Sequence, residues 1–144
     1  MLKTKLQKLV IATLVGGFGM WVVAGLWHNL ILPNVDENVH PHHEGLGLLL
    51  VAYFILAILM AYIYSLSYKS VNPIMEGLRL GVVVGLLWVF PHGLAMASTH
   101  STSIVYEINN AIWHIVEQGI GGVIIAMVYG RKEFVAMNIP SRST

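Results

Sequence analysis

The chain has 144 residues, of which 56% are hydrophobic and only 10% are charged. A soluble domain carries about 25% charged residues, so this composition excludes an ordinary soluble protein and indicates a membrane protein. Eight Lys and Arg are too few for a nucleic-acid-binding surface, so no nucleic-acid partner is expected. The absence of cysteine excludes disulfides, thiolate metal sites and iron–sulfur clusters.

Four apolar stretches follow one another along the chain, over about 9–32, 46–64, 78–97 and 108–129. Each is near the ~20 residues that a helix needs to span a bilayer. Pro33 should end the first helix, and Asn72-Pro73 should start the third. The connections are short, so sequential helices should pack as antiparallel neighbours. The sequence therefore predicts an all-α fold, with residues 1–144 forming a single four-helix transmembrane bundle.

The basic N-terminus resembles the start of a signal peptide. The apolar stretch that follows is too long for a signal-peptide core, and no small-x-small cleavage site comes after it. We therefore predict that this stretch is retained as the first helix of the bundle.

The basic residues predict the orientation of the bundle. They are Lys3, Lys5, Lys8, Lys69, Arg79, Arg131, Lys132 and Arg142. The loops 33–45 and 98–107 contain none of them. Because Lys and Arg concentrate on the cytoplasmic side, we expect both termini and the polar tail 131–144 in the cytoplasm. The two loops then face outward, to the periplasm if the membrane is a bacterial inner membrane.

All the histidines lie toward the opposite, outer side of the bundle. They are His28, His40, His42, His43, His92, His100 and His114. Three of them, His28, His92 and His114, lie inside apolar stretches. At a rise of ~1.5 Å per residue, these three lie ~6, ~7.5 and ~9 Å from the outer ends of their stretches. Three different helices thus place histidine in one layer of the outer leaflet, where ionisable side chains usually serve a function.

The fourth stretch adds a carboxylate to this layer. Asn110, His114 and Glu117 follow at i, i+4 and i+7, so they share one helix face that Gly121 continues. A polar stripe on a membrane helix should point into the bundle. His114 and Glu117 offer one nitrogen and one oxygen ligand, although their order reverses the Glu-x-x-His motif of di-iron bundles. That reversal argues against a simple transfer of the di-iron template.

The leading interpretation is a transition-metal site in the outer leaflet, serving metal handling or a small redox subunit. Its predicted ligands are His28, His92, His114 and Glu117. Imidazole and carboxylate groups suit Zn²⁺, Fe²⁺, Cu²⁺ or Mn²⁺. Glu44 and His43, at the outer mouth of the second helix, are predicted to complete the site or form its entrance.

Other interpretations stay open. Two of the residues His28, His92 and His114 can ligate haem b, or one of them can hold a chlorophyll magnesium. A hydrogen-bonded core or a protonatable relay without any ligand fits as well. The protein would then be an accessory subunit of a larger membrane complex, or purely structural. The outer run His40-Pro41-His42-His43-Glu44 either captures metal, senses pH or is simply a polar loop.

Glycines predict close helix packing. The third helix carries Gly77, Gly81 and Gly85 at a spacing of four, and the fourth carries Gly119 and Gly122. Small residues let the backbones of membrane helices approach closely. We expect these glycines to pack helices within the bundle, with a homo-oligomer interface or room for a flat cofactor as the alternatives. The lipid bilayer is the expected partner of the remaining faces.

Overall fold

The computed structural model of the chain describes residues 2–31, 46–67, 69, 72–99 and 103–137. Within these residues the chain forms four α-helices and no strand, which confirms the predicted all-α fold. The elements are α1 (Leu2–Leu26), which continues into a π-helical turn (Trp27–Ile31), α2 (Leu46–Ser67), α3 (Pro73–Thr99) and α4 (Ile104–Met137). Each α-helix contains a stretch long and apolar enough to cross a membrane.

The helices extend beyond the apolar stretches that predicted them. α3 begins at Pro73, a residue favoured in the first helical turn. Asn72 caps this helix: its side-chain Oδ1 accepts a hydrogen bond from the backbone N–H of Met75 at 3.2 Å. α4 continues to Met137, so the first part of the polar segment 131–144 is helical. Hydropathy marks the part of a helix that suits lipid, whereas the backbone hydrogen bonds continue past it.

α4 is the central helix of the bundle. It packs against α1, α2 and α3, whereas α1 and α3 make no close approach to each other in the described residues. Accordingly, 44% of the apolar stretch of α4 is buried inside the bundle, against 22% to 28% of the apolar stretches of the other three helices. The hairpin of α1 and α2 therefore packs mainly on α4, and in the described residues it reaches α3 only through α2.

α3 and α4 approach each other through glycine. The buried residues of α3 are Gly77, Gly81, Gly85, Val89 and Gly93, which we call the glycine face. A Cβ added at Gly77 would meet the carbonyl of Gly122, and one added at Gly81 would meet the carbonyl of Gln118. No hydrophobic force drives helices together in lipid, so their association depends on van der Waals packing, and small residues allow the backbones to pack closely. The glycine face thus packs within the chain, as predicted.

Polar contacts join the four helices at the end of the bundle where the chain begins. The Lys8 ammonium donates a hydrogen bond to the carbonyl of Tyr129 at 2.9 Å. The ring of Tyr129 packs edge-on against Tyr64, and the Tyr64 hydroxyl donates to Glu76 Oε2 at 3.2 Å. These contacts connect the start of α1, the end of α2, the start of α3 and the distal part of α4. The basic and histidine-bearing ends of the described helices are therefore opposite, although the side of the membrane that each faces stays a prediction.

Candidate functional site

Two ionisable side chains, His114 and Glu117, contact each other on α4, in the half of the bundle away from the basic end. Nδ1 of His114 and Oε2 of Glu117 are 3.0 Å apart. Their i, i+3 spacing places both side chains on one side of the helix. The side chain of Glu117 is completely buried, whereas that of His114 is 18% exposed. A carboxylate at this depth is costly unless hydrogen bonds or a positive charge compensate it.

The two oxygens of Glu117 differ in their surroundings. Oε2 interacts with the imidazole of His114, whereas Oε1 has no hydrogen-bond partner among the described residues. The phenol of Tyr53, a buried residue of α2, lies near this carboxylate. α2 therefore contributes a polar group to the centre of the bundle, and this group faces α4.

His28 comes to the site from the end of α1. It lies in the π-helical turn, is half-buried, and interacts electrostatically with both His114 and Glu117. The indole of Trp27 stacks on that of Trp113, with ring centroids 4.1 Å apart and planes 8° from parallel. This stack ties the π-helical turn to α4 beside His114. Single π-helical turns occur frequently at functional sites.

His92 is placed differently from the other two histidines of the layer. Its side chain is exposed, and its imidazole packs near the indole of Trp88, with ring centroids 6.1 Å apart. The same indole lies 5.9 Å from the imidazole of His114. Gly93, the next residue, belongs to the buried glycine face, and successive helix residues point ~100° apart. The geometry of α3 therefore turns His92 away from α4.

The described helices do not assemble a complete metal site by themselves. Among the described residues, no three His, Asp or Glu side chains lie close enough to hold one ion together. His114 and Glu117 form a pair, with His28 near them. The predicted ligands His43 and Glu44 lie outside the described residues, as do His40, His42 and His100.

Two polar residues of the bundle centre were absent from the predicted set. Tyr53 was missed because a tyrosine within an apolar stretch looks like ordinary packing. Gln118 follows Glu117 and is completely buried, with neither its amide nitrogen nor its amide oxygen hydrogen-bonded among the described residues. Its oxygen lies near the glycine face at Gly85. The signal for both was their depth within an apolar stretch, where polar groups need partners.

The site therefore consists of an imidazole–carboxylate pair on α4, a second imidazole from the end of α1 and a phenol from α2. Its chemistry has to be argued from these side chains. No protein-family model, curated protein or solved structure matches the chain.

Proposed function

We propose that this membrane protein binds a transition metal ion in the outer leaflet, at the His114–Glu117 pair with His28 as a further ligand. The observation that carries the proposal is the complete burial of Glu117 in contact with an imidazole. An ionised carboxylate in lipid is stabilised by a nearby positive charge. A divalent cation supplies that charge, and imidazole and carboxylate groups suit zinc, iron, copper or manganese.

The hydrogen bond within the pair suggests how the ligands are used. Nδ1 of His114 points at Glu117, which leaves Nε2 available to an ion. Metal-bound histidines commonly donate their other ring N–H to a carboxylate, which fixes the tautomer and raises the basicity of the ligand. Glu117 then supplies negative charge behind His114. Direct coordination by Glu117 stays a prediction, whereas the exposed His92 is left out of the proposed ligand set.

Further ligands are needed, because the described side chains supply fewer than three in one place. A closer approach of His28, the predicted entrance residues Glu44 and His43, or water would complete the coordination. Open positions filled by water are typical of catalytic and exchangeable metal sites, whereas structural zinc sites are closed by protein ligands. The proposed role is therefore metal handling or redox chemistry rather than a closed structural zinc site.

A tetrapyrrole is the second candidate for the same imidazoles. Haem b or chlorophyll bound through His114 needs a flat space beside the ring. The Trp88 indole already lies 5.9 Å from that imidazole. A macrocycle would have to displace this indole, so the described packing favours an ion.

A third candidate is a bundle core held by hydrogen bonds alone, in an accessory or purely structural subunit of a larger membrane complex. The His114–Glu117 contact fits this role too. Contacts of this kind contribute ~0.6–2 kcal/mol between membrane helices.

Elemental analysis and an absorbance spectrum of the purified protein separate the three candidates. For protein isolated in mild detergent, we expect about one equivalent of one transition metal per chain and no Soret band. The exposed His92→Ala variant should keep the metal, whereas His114→Ala should lose it. A Soret band would show that the protein binds a tetrapyrrole, and the metal-ion proposal would then be wrong. Metal-free protein that takes up none of the four ions on addition would favour the hydrogen-bonded core.

The orientation of the bundle can be tested with single cysteines, because the chain has no cysteine of its own. Ser98 and Ser67 are exposed residues near opposite ends of the bundle. We expect a membrane-impermeant maleimide added to intact cells to label Ser98→Cys. Ser67→Cys should react only after permeabilisation, because the positive-inside rule places its end in the cytoplasm. The reverse pattern would move the site to the inner leaflet.

A further inference from the structure

We infer that a cation reaches His114 from the histidine-bearing end of the bundle, through a cavity between α3 and α4 in which Glu107 attracts it. The inference deepens the proposed function and rests on it for the identity of the cation. An ion does not cross lipid without polar partners, so a metal site inside a membrane bundle needs an entry path. The sequence predicts His43 and Glu44 as entrance residues, and Glu107 adds a described residue at the same end.

The first support is the cavity itself. It lies between the last turns of α3 and the first turns of α4, and its lining includes Gly93, Leu94, Glu107 and Ala111. Glu107 is the ionisable residue of this lining and is only 7% exposed. A Cβ added at Gly93 would lie 3.5 Å from its Oε2. A carboxylate in the first turn also stabilises the helix dipole, but exposed carboxylates do so too, so that role does not account for the burial.

The second support is the register of α4. Glu107, Ala111, His114 and Gln118 follow at i, i+4, i+7 and i+11, so they share one helix face. Glu107, Ala111 and Gln118 are buried and the side chain of His114 is 18% exposed, so this face points into the bundle. The cavity extends along it from Glu107 to Ala111, and His114 lies ~4.5 Å further along the helix axis. A side chain larger than that of Ala111 would close this path.

The third support is the distribution of charge. The loops 33–45 and 98–107, which flank this end of the bundle, bring no ammonium or guanidinium group to the Glu107 carboxylate. A cavity with low-dielectric walls and one sign of charge raises the local concentration of the opposite ion. Glu107 lies ~10.5 Å from His114 along the helix axis, so it acts on the ion during its passage and not in the bound state.

The experiment compares Ala111→Cys with Ile112→Cys, each the single cysteine of its chain. Ile112 is the matched control, because it is the next residue at nearly the same depth and is 53% exposed on the bundle surface. Membrane fragments are treated with a cationic or an anionic methanethiosulfonate, both of which need water to reach a thiol. We expect Ala111→Cys to react, about 10-fold faster with the cationic reagent, and Ile112→Cys to stay unmodified in lipid. Equal reactivity of the two variants, or none in Ala111→Cys, would overturn the inference.

Glu107→Gln tests the part played by the charge. Added to Ala111→Cys, it should remove the preference for the cationic reagent, and an unchanged preference would reject the role of Glu107. If Ala111→Cys does not fold, Gly93→Cys probes the same cavity from α3. A Cβ at Gly93 would be at an ordinary contact distance from its neighbours, so this variant should be tolerated.

Stopped-flow uptake of Co²⁺ by metal-free protein connects the cavity with the metal site. We expect Glu107→Gln to take up and release Co²⁺ about 10-fold more slowly than wild type, with unchanged affinity, because a group that acts only during passage changes both rates equally. Uptake by Glu107→Gln as fast as by wild type would contradict the inference and leave the proposed function intact. If wild type binds no Co²⁺, the proposed function fails, and the cysteine labelling alone decides whether the cavity admits cations.

Discussion

Glu117→Gln is expected to abolish metal retention and the response of the protein to chelator. The substitution keeps the size of the side chain and one acceptor oxygen, but it removes the negative charge buried beside His114. A divalent ion would then enter a low-dielectric site without its compensating charge, which is strongly unfavourable. Affinity should fall by more than the ~10- to 100-fold typical of losing an orienting contact.

The measurement is the thermal unfolding midpoint, recorded with and without EDTA and compared with metal content. A ligand that binds only the folded state stabilises it, by about 2.7 kcal/mol at 100 times its Kd. EDTA should therefore lower the midpoint of wild type by several degrees and leave that of Glu117→Gln unchanged. This readout also separates the metal site from a purely structural core, for which EDTA would shift neither midpoint.

Glu107→Gln is the matched control. Glu107 is another buried glutamate of α4, 7% exposed, and it lies nearer the start of the helix. The variant removes one buried carboxylate from the same helix without touching the His114 pair. It should keep both the metal and the EDTA response. Metal bound equally by Glu117→Gln and Glu107→Gln would show that Glu117 contributes nothing to the site.

Gly81→Ala is expected to be the most destabilising single methyl addition in the bundle. The new Cβ would overlap the backbone of α4 at Gln118 and Gly119, which cannot move aside as a flexible side chain can. α3 must then shift away from α4, and overpacking of this kind costs about 1–3 kcal/mol. The shift also disturbs Glu117, the residue next to Gln118, so metal affinity should fall together with stability.

Gly25→Ala provides the comparison, because no atom outside its own helix backbone lies within 4 Å of the position its Cβ would take. Alanine is favoured over glycine within a helix by about 1 kcal/mol, so this variant should be as stable as wild type or more so. Thermal unfolding in detergent measures both variants. Equal midpoints for Gly81→Ala and Gly25→Ala would mean that α3 and α4 are not held at the glycine face.

The helices and the glycine face were predictable from the sequence because they depend on local chemistry. An apolar stretch long enough to span the membrane forms a helix, because its backbone N–H and C=O groups must hydrogen-bond with one another in lipid. Gly77, Gly81 and Gly85 share one face whatever the partner helix is. The His114–Glu117 contact also follows from their spacing, because residues three apart on a helix are neighbours.

The rotation of each helix was harder to predict. In a helix that is apolar on all sides, hydropathy does not indicate which side faces the bundle. The prediction that His92 lies beside His114 therefore depended only on their similar depth in the membrane. The continuation of the glycine face through Val89 to Gly93 decides this rotation, and it turns His92 outward. Tyr53 depends on the pairing of α2 with α4, a contact between distant parts of the chain that no local pattern specifies.

The central position of α4 in the bundle has a consequence for assembly. The two hairpins of the chain, α1 with α2 and α3 with α4, can insert independently and meet mainly along α4, with the Tyr64–Glu76 contact joining α2 to α3. His28 and Tyr53 come from the first hairpin, whereas His114 and Glu117 come from the second. The site therefore forms only when the hairpins associate, and an ion bound there would crosslink them. Residues 1–67 and 73–144, produced as separate polypeptides, should then copurify more strongly when the metal is present.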